Sequence, residues 1–400
     1  MPEARLHRHQ NLASRPIVLD VSRLIWRLWR GRLPTGIDRV CLAYLDHFAS
    51  QSCAFLQWRD RRIVLGPRDS DRLFALLMDG VGKLDKRRLV LLLARAIPRA
   101  ALAAPVLAGR IYLNVGHTGL HVDSLPEWLQ QRGLRPVYLI HDLIPITHPK
   151  FCRPGEKDKH AVRMRNALRS ASGIIVNSAD TGRALTVFAE QEAIAAPPQL
   201  VAHLGIEPAA PSRSADPHAR PYFLSIGTIE GRKNHMLLLD AWDRLRDELG
   251  PDTPDLVLVG QRGWMAEATF ARLDEPASEH GRVIELGSCD DHALDAWIAH
   301  ARAVLMPSKV EGYGLPVLEA MLRGTPVIAA DLAIYHEIAA GVPLLLNPDD
   351  AAAWAAAARS YLQDGADRDR QKAALEKFPT PDWANHMALV DPWLAGLRNL

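Results

Sequence analysis

Glu311 and Glu319 stand eight residues apart in VLMPSKVEGYGLPVLEAMLRGTPVIAADL, residues 304–332. An apolar strand ends at Met306, a loop carries Glu311, Gly312, Tyr313 and Gly314, and a helix begins near Leu315. Pro316 falls where its missing N–H costs nothing. Gly312 and Gly314 let the backbone approach a ligand closely. A helix N-terminus offers unpaired N–H groups and partial positive charge, which suit a diphosphate. One turn into the helix, the Glu319 carboxylate could accept both hydroxyl protons of a ribose, and Glu311 could do the same for a sugar. Taken alone, a strand–glycine loop–helix is common, and Glu319 could serve only its own helix N-terminus.

A second segment, YFLSIGTIEGRKNHMLLLDAW, spans residues 222–242. Its strand ends at Gly227, and Arg232 and Lys233 precede an amphipathic helix. Two adjacent cations at the C-terminal edge of a parallel sheet are placed to bind phosphate oxygens, since ligands of open α/β sheets bind there. An exposed basic turn is the plainer reading of that pair by itself. In the first half, VYLIHDLIP, residues 137–145, sets His141 and Asp142 directly after an apolar strand. A histidine in that position also serves as a satisfied structural group.

These residues need strands that deliver them to one sheet edge. Ile17–Asp20, Ile111–Val115, Val137–His141 and Gly173–Asn177 read as buried strands, each followed by a helical pattern, as in Gly36–Phe48. The alternation pauses at GIEPAAPSRSADPHARP, a linker after Leu204, and restarts with strands at Tyr222–Ile226, Leu256–Val259, Val283–Leu286, Ala303–Met306 and Val327–Ala329. Strand–helix alternation implies parallel sheets with helices on both faces. The expected class is α/β with two doubly wound Rossmann-like domains, residues 1–205 and 206–380, and a C-terminal helix at 381–400 crossing back to the first.

Composition bounds the partners. The chain of 400 residues is 48% hydrophobic and 24% charged, an ordinary globular balance. Its four cysteines form no C-x-x-C pair, which argues against a disulfide framework or a zinc site and for a reducing compartment. The opening residues are polar, with His7, Arg8, His9 and Gln10, and the stretch Leu89–Leu107 is interrupted by Arg95, Pro98 and Arg99. Neither reads as a signal or a spanning helix. Two D-x-D triplets, Asp69–Asp71 and Asp367–Asp369, follow no apolar strand and read as solvated charges, so no metal is expected. Residues 1–200 hold 30 Lys and Arg against 17 Asp and Glu, whereas residues 201–400 hold 18 against 29. The basic half suggests an anionic partner. No reader motif or arginine-rich tail points to nucleic acid.

The segments SIGTIEGRKNH, EGYGLPVLEAMLRGTPVIA, LVGQRGW (258–264) and NPDDAAAWAAA (347–357) resemble glycosyltransferase family 4, retaining enzymes of the GT-B fold, in its bacterial surface-polysaccharide branch. The resemblance implies two Rossmann-like domains facing across a cleft. Its Glu-(seven residues)-Glu motif is matched by Glu311 and Glu319, and Lys233 carries over as a phosphate ligand. Many members have an arginine after the glycine of the first segment; here Thr228 follows Gly227, and Arg232 is left to supply the second charge. By the same resemblance His141 meets the donor sugar, and Gly36, followed by Ile37 and Asp38, stands for a glycine loop facing the donor. Donor contacts are expected from Gly227, Thr228, Gly312, Tyr313, Gly314 and Leu315. Asn177 and Ser178 end a strand at the same edge, where acceptor or donor could touch them.

The expected activity is retaining, metal-independent transfer of a hexose from a nucleoside-diphosphate sugar to a saccharide acceptor. The LVGQRGW-type branch favours GDP-mannose, and no cofactor is expected. Glu311 would position the donor, with the leaving phosphate taking the acceptor proton on the same face. The alternative is a GT-B-fold sugar-nucleotide epimerase or hydrolase. Two basic–apolar segments, Arg23, Arg27, Arg30 and Arg32 with Trp26 and Trp29, and Lys83 to Arg99 with its leucines, suit an anionic membrane surface. That fits a polyprenyl-diphosphate-linked acceptor and a cytoplasmic enzyme peripheral on the inner face of the plasma membrane. Sugar, base, acceptor and linkage stay open.

Overall fold

The computed structural model describes residues 15–31, 35–80, 83–103, 106–207, 215–275, 282–287 and 289–398. The opening polar stretch, Arg32 and residues 208–214 of the linker lie outside them.

The chain divides into two units. The first comprises residues 1–141, 158–204 and 383–400, and the second residues 142–157 and 205–382. The segment 142–157, which the sequence reading assigned to the first domain, thus groups with the second. The Trp264 indole Nε1 donates to the Phe151 carbonyl at 3.3 Å, and the Arg153 guanidinium lies 4.6 Å from the Trp264 ring centre. The C-terminal helix Trp383–Arg398 packs within the first unit. His386 on it meets the Tyr44 hydroxyl at 2.7 Å and donates from Nδ1 to the His203 carbonyl at 2.9 Å.

The first unit is built on seven strands: β1 (Ile17–Asp20), β2 (Ser52–Trp58), β3 (Arg61–Val64), β4 (Ile111–Asn114), β5 (Arg135–Ile140), β6 (Gly173–Val176) and β7 (Gln199–Val201). They lie in the order β3-β2-β1-β4-β5-β6-β7, parallel except for the β2–β3 hairpin. The second unit holds β8 (Tyr222–Ile226), β9 (Asp255–Val259), β10 (Val283–Leu286), β11 (Val304–Met306), β12 (Val327–Ala330) and β13 (Leu344–Leu346). Their order is β10-β9-β8-β11-β12-β13, all parallel. Parallel strands covered on both faces read as continuous apolar runs, and β8, β9 and β12 are buried at every residue.

In both sheets the strand order reverses beside the first strand, between β1 and β4 and between β8 and β11. Such a switch point opens a crevice at the strands' C-terminal ends. The second sheet's core packs Phe223, Leu238, Trp242, Trp354 and Tyr361 together. The Trp242 and Trp354 indole N–H groups donate to the carbonyls of Pro254 and Asn347 at 2.8 and 3.0 Å.

Two structural details differ from the sequence reading of the first unit. Arg23 and Arg27 turn inward onto buried Asp38, at 2.7 and 3.0 Å, leaving Arg30 as the outward arginine among the described residues of that segment. Asp69 is no solvated charge: it is buried and pairs with Arg99 at 3.3 Å, while Asp71 takes Arg15 at 2.8 Å. No helix among the described residues is long and apolar enough to cross a membrane.

His235 opens the helix His235–Leu249 in the second unit and is 3% exposed. Burial, with Lys233 nearby, pulls its imidazole down to about 3. An unfolded chain's histidine titrates near about 6.5. Its contribution to stability is therefore complete above that value and is lost as pH falls toward the folded value. Urea unfolding at about pH 7.5 and about pH 5.5 should show wild type losing about 1.4 kcal/mol more than His235→Gln over that interval. Equal losses would contradict the assignment.

Candidate active site at the second switch point

Strand β8 ends in Gly227, whose φ of 136° lies in the region where only glycine sits without strain. A side chain there would come within 3.2 Å of the Lys233 side chain, so the glycine clears the path along which Lys233 returns over the strand end. The chain then turns through Gly231–Lys233 in one short helical turn. Asn234 follows in the left-handed conformation, φ 57°, which asparagine tolerates. Its amide donates to the carbonyls of Pro307 and Pro348 at 3.0 and 2.8 Å, and the Lys309 N–H donates to the Arg232 carbonyl at 2.8 Å. The loops after β8 and β11, on either side of the switch point, are thereby sewn together.

Between them lies a buried charge cluster. Lys233 Nζ is 2.5 Å from Glu311 Oε1, and Arg232 Nη1 is 2.8 Å from Glu311 Oε2. The Ser308 hydroxyl donates to Glu311 Oε1 at 2.6 Å. Arg232 Nε reaches back to Glu230 Oε1 at 2.5 Å. The Lys233 and Glu311 side chains are 9% and 6% exposed, and that of Glu230 is 2% exposed. Burial pushes the Glu311 carboxyl up, but Lys233 and Arg232 together outweigh it and hold the group at about 2. Burial likewise raises Glu230, against the pull of Arg232.

The sequence pattern named Lys233, Arg232 and Glu311, and the structure brings all three into contact. It missed Glu230 and Ser308. Glu230 is the Glu of TIEGRK, two residues before the arginine it holds, and it adds a second negative charge. The two cations and two carboxylates cancel, so the cluster as a whole is neutral. The other Glu230 oxygen is buried with no hydrogen-bond partner among the described residues.

Around this cluster the remaining candidates fall as follows. Gly312 lies against Asp142 of the segment 142–157, and Tyr313 is buried. Gly314, φ 93°, caps the helix Leu315–Leu322 under the Tyr335 ring, which stands 2.5 Å from where a side chain would begin. The helix start offers fewer donors than the sequence suggested, because Pro316 has no N–H and Val317 donates to the Gly314 carbonyl at 3.0 Å. Glu319 is buried on this helix, and Arg323 donates to its carbonyl at 2.9 Å. Thr228, in place of the family's arginine, packs its methyl against Gly263 of the GQRGW loop.

In the first unit, His141 follows β5 and is 5% exposed. Its Nε2 donates to the Val115 carbonyl at 2.7 Å, and its own carbonyl accepts from Asn177 at 2.9 Å. Ser178 caps the helix Ala179–Gln191 by accepting from the Thr181 N–H at 3.0 Å. Both partners of the strand end are thus bound into the scaffold. Gly36 is the first residue of the helix Gly36–Phe48, whose capping box pairs Thr35 with Asp38. At this sheet's own switch point Asp20 is buried, accepting from the Tyr112 hydroxyl at 2.7 Å and Asn114 at 3.1 Å, and burial lifts it to about 6. Among the described residues no group of three His, Cys, Asp or Glu side chains is placed to hold a metal ion.

Removing one partner of a buried ion pair costs about 3–5 kcal/mol, because the other charge stays behind. Glu311→Ala should therefore destabilise the protein by about that amount, and Lys233→Met combined with Glu311→Leu by clearly less. Denaturant unfolding of the three proteins checks this. A double variant as unstable as Glu311→Ala, both measured against wild type, would contradict the coupling.

Residues 220–364 match the family model described as glycosyl transferases group 1. The O-antigen chain mannosyltransferase B of Escherichia coli is 36% identical over 165 residues, covering 41% of this chain and 43% of that protein. The O-antigen chain mannosyltransferase RfbU of Salmonella typhimurium is 36% identical over 178 residues, covering 44% and 47%. The aligned part is less than half of either curated relative. Over nearly its whole length the chain superposes on the Anabaena protein Alr3699/HepE, solved in complex with UDP, with a TM-score of 0.65 at 18% identity, covering 95% and 99% of the two chains. That likeness gives the fold, the two Rossmann-like domains of GT-B glycosyltransferases. The stretch that carries the Lys233–Glu311 cluster is the stretch that the family model matches.

Proposed function

We propose that the chain is a retaining, metal-independent hexosyltransferase. It moves a hexose, mannose favoured, from a nucleoside-diphosphate sugar, GDP-mannose favoured, to a saccharide acceptor in bacterial surface-polysaccharide assembly. The observation that carries this reading is the buried Lys233–Glu311–Arg232 cluster at the switch point, within the matched family segment. The names of the two mannosyltransferase relatives support the sugar and the setting.

The geometry suggests a division of labour. The cluster is neutral before the donor arrives, so a diphosphate must share Lys233 and Arg232 with Glu311. As the leaving phosphates gain charge, the cations shift their weight toward them, which stabilises the transition state more than the ground state. A carboxylate held at about 2 by two cations and a hydroxyl is a poor proton donor and a poor nucleophile. Glu311 therefore positions cations and sugar hydroxyls, and the departing phosphate takes the acceptor proton on the same face. Glu319 holds the ribose, with Gly227, Thr228, Gly312, Tyr313, Gly314 and Leu315 lining the nucleotide. His141 keeps the contact with the donor sugar that the resemblance gives it, and Gly36 faces the donor from the first turn of its helix.

The acceptor is read as polyprenyl-diphosphate-linked, with the protein peripheral on the inner face of the plasma membrane. Supporting this are Trp26 and Trp29, 47% and 43% exposed, with Arg30 stacked at 4.4 Å on Trp26 and Lys86 5.5 Å above Trp29.

Two substitutions separate the roles. Lys233→Ala should lower kcat by about a hundredfold, the usual scale for losing one preorganised charge at a transition state. Glu319→Ala should weaken nucleoside-diphosphate binding in calorimetry by about tenfold or more, since a charge-assisted hydrogen bond is worth about 1.5–3 kcal/mol. Turnover within twofold of wild type for Lys233→Ala, or unchanged nucleotide affinity for Glu319→Ala, would refute the corresponding role.

A further inference from the structure

The helix Lys86–Ala103 buries only Leu89, Ala96 and Ala100 of its eighteen residues. Its outward surface divides into two stripes. Val90 and Ile97, 50% and 41% exposed, lie seven residues apart on one. Arg88, Arg95 and Arg99, spaced by seven and four residues, share the other. That second stripe forms one wall of a groove of about 510 Å³, whose opposite wall is the helix Pro67–Asp79 with Arg72. Leu91 and Leu92 add apolar lining. Two carboxylates also face the groove. Asp69 is engaged by Arg99 at 3.3 Å and Arg72 at 3.7 Å, and Asp79 is the second. Four guanidinium groups against two carboxylates leave a surplus of two positive charges. Arg88 and Arg95 have no ion pair among the described residues.

We infer that this groove seats one anionic membrane phospholipid, its phosphate on Arg88 and Arg95 and the start of an acyl chain against Leu91 and Leu92. Charge and shape point to that occupant. The arginines match a phosphate, for which guanidinium is the preferred partner. The apolar lining matches a chain and gives a free inorganic anion nothing to gain. Val90 and Ile97 lie on the helix's other flank, where Lys86 at its start covers the exposed Trp29 ring. The proposal rests on the membrane-facing part of the proposed function and names the lipid site within it.

Calorimetry with dihexanoylphosphatidylglycerol, kept below its micelle concentration, tests this without donor or acceptor, so its failure leaves the sugar-transfer reading standing. Saturable binding is expected, with dihexanoylphosphatidylcholine and inorganic phosphate each at least about tenfold weaker. Arg88→Glu with Arg95→Glu should weaken the lipid by about tenfold or more, whereas Lys86→Glu with Arg87→Glu, the same charge change on the same helix, should leave it within about twofold. Arg88→Gln with Arg95→Gln should also lose binding, and thermal melts of all three should match wild type because the altered side chains are exposed. The proposal is overturned by absence of saturable binding, by equal loss in the two charge-reversed proteins, or by inorganic phosphate binding as tightly as the lipid.

Discussion

An ammonium and a guanidinium can sit buried at a sheet edge only where carboxylates meet them. An ion of that size left unpaired in a protein interior costs several kcal/mol. Here Glu311 takes both cations, and Glu230 takes the arginine from the other side. Much of the second unit follows from keeping those four groups together. Gly227 clears space for Lys233, Asn234 ties the two loops, and Ser308 spends its hydroxyl on Glu311. The sheet order supplies the rest, because only at the β8–β11 reversal do two adjacent strand ends release their loops in opposite directions.

Neutrality has a consequence for specificity. A cluster with surplus positive charge would hold any phosphate firmly. A balanced one binds a diphosphate by sharing its cations, and the gain grows as charge develops on the leaving group. In the proposed reaction the sugar is oriented by an ionised Glu311, and the two cations hold that carboxyl at about 2, well below the physiological range.

Much of this was legible in the residues. The long apolar runs β8, β9 and β12 and the helix Gly36–Phe48 stand out because burial on both faces, or on one helical stripe, leaves a strong periodic mark. The strands left unread are two short edge strands and the pair of one hairpin. β7 and β13 have three residues each at sheet edges, and the β2–β3 hairpin turns through Arg59 at φ 53° with no glycine to announce it. The site was legible in its motif residues and not in their partners. Glu230 looks like any loop glutamate until the fold turns Arg232 back onto it. Arg23 and Arg27 look like a basic surface until Asp38, fifteen and eleven residues on, draws them inward. Ion pairs formed through tertiary contact leave no period in a sequence, so charge runs overstate what reaches the surface.

A structure of the protein with a nucleoside diphosphate bound tests the central claim most directly. The account predicts the terminal phosphate within hydrogen-bond distance of Lys233 Nζ or the Arg232 guanidinium, with Glu311 still contacting at least one of them and the ribose hydroxyls on Glu319. A nucleotide bound elsewhere in the second unit, with the Lys233–Glu311 pair untouched and no phosphate near Arg232, would contradict it.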